Sequence, residues 1–165
     1  MKSVTLDLRY PGRTVEEVRA MLADPEFRQA VYTFQQVEDS AVTIEEFDDG
    51  SMTVDLDRTY GTALVPSFAR TFVGDTIDLV QREEWSSPTE ARFEVSIPGK
   101  PGDLTGTARL VQSGPDAVET VSLDARISIP LVGGKLEDLV AGLMRDAFHA
   151  ENKVGLKWLA GEWRA

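Results

Sequence analysis

The stretch IPLVGGKLEDLVAGLMRDAFHAENK, residues 129–153, decides how this chain folds. It begins as the end of a strand, passes through Gly133-Gly134 and continues as a helix. Advancing about 100° per residue from Leu136 places apolar side chains along one continuous face. These are Leu136, Val140, Leu143, Ala147 and Val154, flanked by Leu139, Met144 and Phe148 and joined later by Trp158. A long helix with so wide an apolar face covers either a packed core or a cavity.

Three other features of this stretch matter. Glycine tolerates backbone angles that other residues avoid, so Gly133-Gly134 is predicted to let the chain leave the last strand and swing back over the sheet. The only histidine, His149, falls on the opposite, solvent side of the helix. Glu151 falls on the apolar stripe, where a carboxylate is paired, protonated or hydrated. Alternatively, the helix has passed the sheet edge at that point and Glu151 is solvated.

The chain before this helix predicts a sheet. Alternating apolar residues indicate strands, and Thr14 and Asp24-Pro25 mark the starts of two short helices. The predicted strands are residues 3–10, 42–47, 52–60, 77–85, 91–97, 104–111 and 118–129. Short turns between consecutive strands favour an antiparallel meander, and one long helix must cover its apolar face. We therefore expect a single α+β domain over residues 1–165, with the order β-α-α-β₆-α.

Three of the predicted strands carry polar residues in their inward-facing rows. The row of residues 52–60 continues to Arg58 and Tyr60, and that of residues 42–47 continues to Glu46. The row of residues 77–85 continues to Gln81, Glu83 and Trp85. Buried charges are rare unless they are paired, so these rows predict an interior that is apolar at one level and polar at another. A β-bulge would instead shift the alternation and place these groups outside.

These elements together resemble the START-like (SRPBCC) helix-grip superfamily. The resemblance rests on the element order, on DPEFRQAVY at residues 24–32, and on the longer segments VPSFARTFVGDTIDLVQREEW (65–85) and ARISIPLVGGKLEDLV (125–140). The last two are similar to an uncharacterised actinobacterial branch of that superfamily. The resemblance implies a curved antiparallel sheet of about seven strands that grips the C-terminal helix around a cavity. Members of the superfamily bind lipids, sterols, polyketides and other apolar molecules, and some are cyclases, so the fold does not fix the function.

We therefore expect a cavity between the sheet and the C-terminal helix. The helix would form one wall, with Leu139, Leu143, Met144, Ala147 and Phe148. The sheet would form the opposite wall, with Leu56, Leu79, Phe93, Val95, Leu110, Leu123 and Ile127, and Gly106 and Ala108 would leave further room. The segment Pro66–Val73 would form its lid or entrance. The predicted ligand-binding residues are Arg58, Tyr60, Phe68, Phe72, Trp85, Phe93, Leu139, Leu143, Met144, Ala147, Phe148 and Glu151. A fully packed core is the alternative.

Arg58 is the predicted anchor for a polar ligand group. In the empty protein it could pair with Glu46, Glu83 or Glu151. It could instead receive a carboxylate or enolate from a ligand, since guanidinium binds such groups with two parallel hydrogen bonds.

Composition and missing motifs exclude several classes of function. The net charge of −11 repels nucleic acid and anionic bilayers, and there is no cysteine for a thiolate metal site. We find no Walker loop, GxGxxG, HExxH or GxSxG motif. We therefore expect no metal and no cofactor, and we assign no catalytic residue. No signal-peptide or membrane-span pattern occurs, which predicts a cytoplasmic protein without stable membrane insertion.

Three functions are compatible with these features. The first is a carrier or sensor of a small hydrophobic or amphiphilic molecule such as a lipid, polyketide or aromatic acid. The second is a cyclase- or dehydratase-type enzyme that uses Arg58, Tyr60, Glu83 or Glu151 for acid–base chemistry. The third is a protein-interaction module with a solid core. The ligand, the protein partner and the oligomeric state are not encoded in any recognisable motif.

Overall fold

The chain folds into one sheet and four α-helices in the predicted order, with one short helix inserted after the third strand. This computed structural model describes residues 1–164, apart from the side chain of Thr62. The strands are β1 Lys2–Tyr10, β2 Asp39–Glu46, β3 Met52–Tyr60, β4 Ile77–Trp85, β5 Glu90–Ser96, β6 Asp103–Ser113 and β7 Asp116–Arg126. The helices are α1 Val15–Leu22, α2 Pro25–Gln35, α3 Ser67–Val73 and α4 Gly133–Leu159, and a 3₁₀ turn spans Thr62–Leu64.

The two short N-terminal helices begin where their capping residues predict. Thr14 Oγ1 accepts the backbone N–H of Glu17, while the Glu17 carboxylate accepts the backbone N–H of Thr14. This reciprocal capping box satisfies two helix donors that otherwise lack partners. The carboxylate of Asp24 caps α2 by accepting the backbone N–H of Glu26, with Pro25 at the first position of the helix. Helix α2 supplies one wall of the site described below.

All seven strands pair antiparallel in a single sheet, in the order β1-β7-β6-β5-β4-β3-β2. Pairing of β3 with β4 runs without a break from Met52 opposite Trp85 to Tyr60 opposite Ile77. No bulge therefore shifts the alternation of these two strands, and their polar residues keep inward-facing positions. At the end of the edge strand β2, however, the side chain of Glu46 is 61% exposed, because an edge strand is only partly covered.

Helix α4 lies across the inner face of this sheet and contacts β1, β7 and α2. Its 27 residues make it about 40 Å long. A Cβ added at Gly133 would come within 2.2 Å of the carbonyl oxygen of Ile127, so glycine is needed here for close approach. The left-handed backbone angle of the preceding turn belongs to Leu131 instead, with φ of 72°. None of the helices in the described part of the chain is long and apolar enough to span a bilayer.

Strand β7 ends earlier than the alternation predicts, at Arg126 rather than at residue 129. The backbone N–H of Ile127 donates to the Glu137 carboxylate of α4 at 2.8 Å, so it is not available to a neighbouring strand. Pro130 then has no N–H to offer a ladder. The sheet therefore ends where Glu137, in the second turn of α4, binds the chain.

The space expected at Gly106 is filled. A Cβ at this position would lie 2.3 Å from Cζ of Phe93 and 2.4 Å from the carbonyl oxygen of Ser122. The Phe93 ring in turn packs on Phe148 of α4, with ring centroids 5.7 Å apart. This part of the interior is therefore a packed core, and the expectation of further room at Gly106 was wrong.

Gly106→Ala should lower the free energy of unfolding by about 1–3 kcal/mol, because the added methyl group overlaps Phe93 and a strand carbonyl. Gly142→Ala in α4 is the matched control, since its methyl group meets no atom within 4 Å. It should stabilise the helix by about 0.5–1 kcal/mol. Urea unfolding of both variants measures the difference, and equal effects would contradict this packing.

Candidate functional site

Arg28 and Glu83 form an ion pair in the interior, between the inner face of α2 and the inner row of β4. The two residues are 3% and 5% exposed. The guanidinium donates through Nη1 and Nη2 to the two carboxylate oxygens at 3.0 and 2.9 Å. Its Nε donates to the carbonyl oxygen of Leu22 at 2.8 Å. This two-bond geometry is what makes a buried ion pair tolerable.

Two further hydrogen bonds complete the environment of Glu83. Gln81 Nε2 donates to its Oε2 at 2.8 Å, and Trp85 Nε1 donates to its Oε1 at 3.0 Å. Burial raises the pKa of Glu83, but Arg28 and these hydrogen bonds lower it more, so it lies below its ordinary value. Glu83 is therefore ionised, and four donors already occupy its oxygens.

Glu151 of α4 and Glu119 of β7 form a carboxyl pair beside Arg28. Glu151 Oε2 lies 3.6 Å from Arg28 Nη1, and the two carboxyls interact directly. Burial raises the pKa of Glu119 far above its ordinary value, and the charge of Glu151 raises it further. Burial also raises the pKa of Glu151, although Arg28 lowers it. The pair therefore holds one proton, mainly on Glu119.

Arg58 of β3 is a buried guanidinium without a carboxylate partner. It is 1% exposed, its Nη2 donates to Met144 Sδ at 3.0 Å, and its Cζ lies 5.8 Å from the Tyr32 ring. Within residues 1–164, neither its Nε nor its Nη1 finds an acceptor. Burial lowers the pKa of Arg58, but the hydroxyls of Tyr32 and Tyr60 and the Glu83 carboxylate raise it more. Arg58 therefore stays charged.

A small cavity of about 20 Å³ lies against Arg58, between the sheet and α4. This volume holds about one water molecule. The lining residues are Arg28, Val31, Tyr32, Leu56, Arg58, Gln81, Met144, Ala147, Phe148 and Glu151. The cavity thus combines two cations and an acid with apolar walls, an arrangement suited to holding a polar group of a ligand.

An apolar mouth opens near the N-terminal end of α4, beside Phe72 of α3. Its volume is about 350 Å³, and a pocket of about 20 Å³ extends it inward. The two share Ile97, Ile127 and Val140. The mouth is lined by Thr71, Phe72, Val73, Ile77, Ile97, Gly99, Lys100, Pro101, Ile127, Ile129, Leu136 and Val140. Helix α3 and the β5–β6 turn therefore border an opening between the sheet and α4.

The predicted site residues occupy three different places. Arg58, Met144, Ala147, Phe148 and Glu151 line the cavity, and Phe72 lines the mouth. Tyr60 and Leu143 line a separate open groove of about 330 Å³ on the other side of α4. The Tyr60 hydroxyl interacts with Arg58 and raises its pKa, but within the described residues it has no hydrogen bond of standard geometry.

The remaining predicted residues lie around these openings. Trp85 is buried and bound to Glu83, and Phe93 is buried against Phe148. Phe68 and Leu139 are half-buried. His149 is exposed, as the helical wheel predicts.

Arg58 does not take the partners expected for it. Arg28 occupies both Glu83 and Glu151, and Glu46 lies exposed at the sheet edge, 3.6 Å from Arg19. Glu151 itself is 7% exposed, so the apolar stripe of the helix does carry a buried acid and the solvated alternative is excluded.

Sequence reasoning missed three members of the site: Arg28, Tyr32 and Glu119. The signal for Glu119 was present, because it alternates with Ala117 and Val121 in the inward row of β7. Arg28 and Tyr32 are one helical turn apart in α2, on the face that also buries Val31. The apolar face of α2 is too short for the pattern to reveal that Arg28 on it is buried.

Solved structures share this fold at low sequence identity. The protein TTHA0849 from Thermus thermophilus is 21% identical, covers 96% of each chain and has a TM-score of 0.62. A START superfamily protein from Mycobacterium smegmatis is 14% identical over 95% of this chain and 98% of its own, with a TM-score of 0.61. The di-domain ARO/CYC protein BexL from the BE-7585A biosynthetic pathway is 14% identical over 93% of this chain and 46% of its own, with a TM-score of 0.53. The START-like helix-grip fold is thus confirmed.

A comparison with curated proteins gives no match. A family described as "Protein of unknown function (DUF2505)" matches residues 5–159, which is nearly the whole chain. The long strand and helix that carried the resemblance to an uncharacterised START-like branch lie inside this match. The chain therefore belongs to the DUF2505 family.

Proposed function

We propose that this protein is a carrier or sensor that binds a small amphiphilic acid between the sheet and α4. The observation that carries the proposal is Arg58, a fully buried cation with two unpartnered nitrogens beside a cavity. A carboxylate is the group whose two oxygens match a guanidinium edge.

The groups around Arg58 compensate its charge only in part. A thioether sulfur is a weak acceptor, and the Tyr32 ring contributes a cation–π contact. Leaving a buried charge without a hydrogen-bonded counterion costs several kcal/mol. A carboxylate that replaced Met144 Sδ on Nη2 and also bonded to Nε or Nη1 would occupy one edge of the guanidinium and recover much of this cost, so the site favours acids over neutral molecules.

The apolar part of the ligand would extend from the cavity toward the mouth, because residues that line the two are neighbours on β4 and on α4. Leu79 of the inner pocket and Gln81 of the cavity are consecutive inward residues of β4. Val140 at the mouth and Met144 at the cavity are one turn apart on α4. Both steps correspond to about 6–7 Å. A molecule of modest length could therefore place its acid at Arg58 and its apolar end in the mouth.

Met144 controls the room for such a ligand. The cavity as it stands has space for about one water molecule. Methionine is flexible and adapts to different packing, so its side chain can turn away when a ligand replaces its sulfur on Arg58. Ala147 adds little bulk to the same wall.

A second function, acid–base catalysis of the cyclase or dehydratase type, is favoured by one specific observation. Glu151, whose pKa is raised by burial, lines the same cavity as Arg58. A proton donor or acceptor next to a cation that can hold an enolate oxygen has the composition of such a site. Turnover of a bound acid, followed by mass spectrometry, distinguishes this function from simple binding.

Arg58→Met should weaken binding of 2-naphthoate or decanoate by about tenfold to a hundredfold, since charged hydrogen bonds contribute about 1.5–3 kcal/mol. The variant should unfold at the same or a higher urea concentration than the wild type, because an uncompensated buried cation is replaced by an apolar chain. Isothermal titration calorimetry and urea unfolding measure the two effects.

Arg82→Met on the outer face of the sheet is the control, because Arg82 is half-exposed and bound to Asp55. It should leave acid binding unchanged. The methyl esters of both acids should bind the wild type no better than they bind Arg58→Met. Equal binding of acids by wild type and Arg58→Met would refute the proposal, and absence of any acid binding would favour the interaction-module alternative.

Ile97→Trp should slow ligand association several-fold, because the larger side chain narrows the mouth and its inner pocket. Ile97 is half-buried, so the free energy of unfolding should change by no more than about 0.5 kcal/mol. Stopped-flow binding of 2-naphthoate measures the rate. Phe47→Trp, at an exposed turn, is the control and should leave the rate unchanged.

A further inference from the structure

Glu119 is a buried acid that the binding mode above does not use. It lies in β7 opposite Leu8 of β1 and Leu110 of β6, and it is 2% exposed. Its neighbours along the same inward row are apolar, so nothing in its own strand stabilises a charge there. Its position has to be explained by what faces it from α4.

That facing group is Glu151. The two carboxyls interact directly, and within the described chain each leaves one oxygen, Oε1, without a donor. Two buried carboxylates in contact cannot both be ionised, and a shared proton supplies the donor that the pair lacks. Arg28 lies 3.6 Å from Glu151, so the charge stays on Glu151 and the proton on Glu119.

Charged and polar groups act on the pair from every element packed against it. They are Arg28 of α2, Glu83 of β4, Arg58 of β3 and Tyr10 of β1. The two guanidiniums balance ionised Glu83 and ionised Glu151, while Glu119 is neutral. The empty cluster therefore carries no net charge.

An acid anion that enters this cluster breaks the balance. Arg58 and Glu151 line the same cavity, so the ligand carboxylate and the Glu151 carboxylate would repel each other in a medium with little screening. A proton from solvent that bonds to Glu151 removes the repulsion. Arg28 then keeps Glu83 as its partner, and Arg58 takes the ligand.

We propose that the Glu119–Glu151 pair takes up one proton from solvent when an acid anion binds at Arg58, so that this protein binds monoanionic acids in a proton-coupled step. The inference rests on the proposed function and deepens it by naming the charge of the ligand. No covalent bond of the ligand changes, and one O–H bond forms on Glu151. Because binding takes up a proton, the affinity for a permanently charged anion should fall about tenfold for each unit by which the pH rises. This slope holds over the pH range in which one full proton is taken up.

The experiment uses decanesulfonate and naphthalene-2-sulfonate, whose sulfonate groups stay ionised throughout the neutral pH range. Any dependence of their binding on pH therefore belongs to the protein. Isothermal titration calorimetry in buffers of different ionisation enthalpy counts the protons taken up. We expect about one proton per bound probe near neutral pH.

Glu151→Gln is the test variant, because its amide keeps the size of the side chain but cannot take up the proton. Proton uptake should fall to less than half, with the pH dependence of affinity flattened. Glu94→Gln, exposed on the outer face of β5, is the control and should behave as the wild type. Binding at Arg58 without proton uptake would overturn the inference alone. Failure of both probes, and of the two carboxylates, to bind would overturn the proposed function and the inference with it.

A measurement made without ligand tests directly whether Glu119 holds a proton. A carboxyl with a raised pKa contributes stability below its ordinary pKa and loses it as pH rises through the raised value. The melting temperature of the wild type should therefore decline from weakly acidic to alkaline pH, and that of Glu119→Gln should decline less. Parallel curves for the two proteins would show that Glu119 holds no proton, and the inference would be wrong.

Discussion

The interior of this protein depends on the ion pair between Arg28 and Glu83. Arg28 joins four elements, because it binds the last carbonyl of α1, extends from α2, grips β4 and approaches Glu151 of α4. Removing it would leave Glu83 and Glu151 as buried, unpaired carboxylates, at a cost of about 3–5 kcal/mol. The position of Arg28 also decides the state of Arg58, since every nearby acid is already occupied. The unpaired guanidinium is thus a consequence of how the helices dock.

The cavity region divides into an apolar level and a polar level along the same helix. Leu136 and Val140 of α4 face the mouth, while Met144 and Glu151 face the cavity one to four turns later. The strands follow the same division, from Ile77 and Leu79 to Gln81 and Glu83 in β4. The register of β3 and β4 places Arg58 opposite Leu79 and Leu56 opposite Gln81, so the change from apolar to polar side chains occurs at neighbouring positions on the two strands. Amphiphilic molecules match such a gradient better than purely apolar ones.

Much of this arrangement could be predicted from periodicity alone. Alternation placed Arg58 and Glu83 inside, and the helical wheel placed Glu151 on the buried face of α4. Periodicity reports only which way a side chain points, however, and not what it meets. Arg28 and Glu83 are 55 positions apart in the chain, and their pairing depends on the angle at which α2 docks on the sheet. The sequence could not predict that the space over Gly106 is filled either, because this depends on the rotamer of Phe93 on the next strand.

The acidic surface repels an anionic ligand, whereas Arg58 in the interior attracts it. A net charge of −11 repels anions at long range, so no electrostatic steering brings an acid to the mouth. Arg58 attracts the anion only after the anion has left water, because the two charges are then close together and little screened. Uptake of an anion together with a proton adds no net charge, which makes it thermodynamically equivalent to binding the uncharged acid. The surface charge then does not oppose loading, and selectivity rests on whether the acid can leave water and still form hydrogen bonds to Arg58.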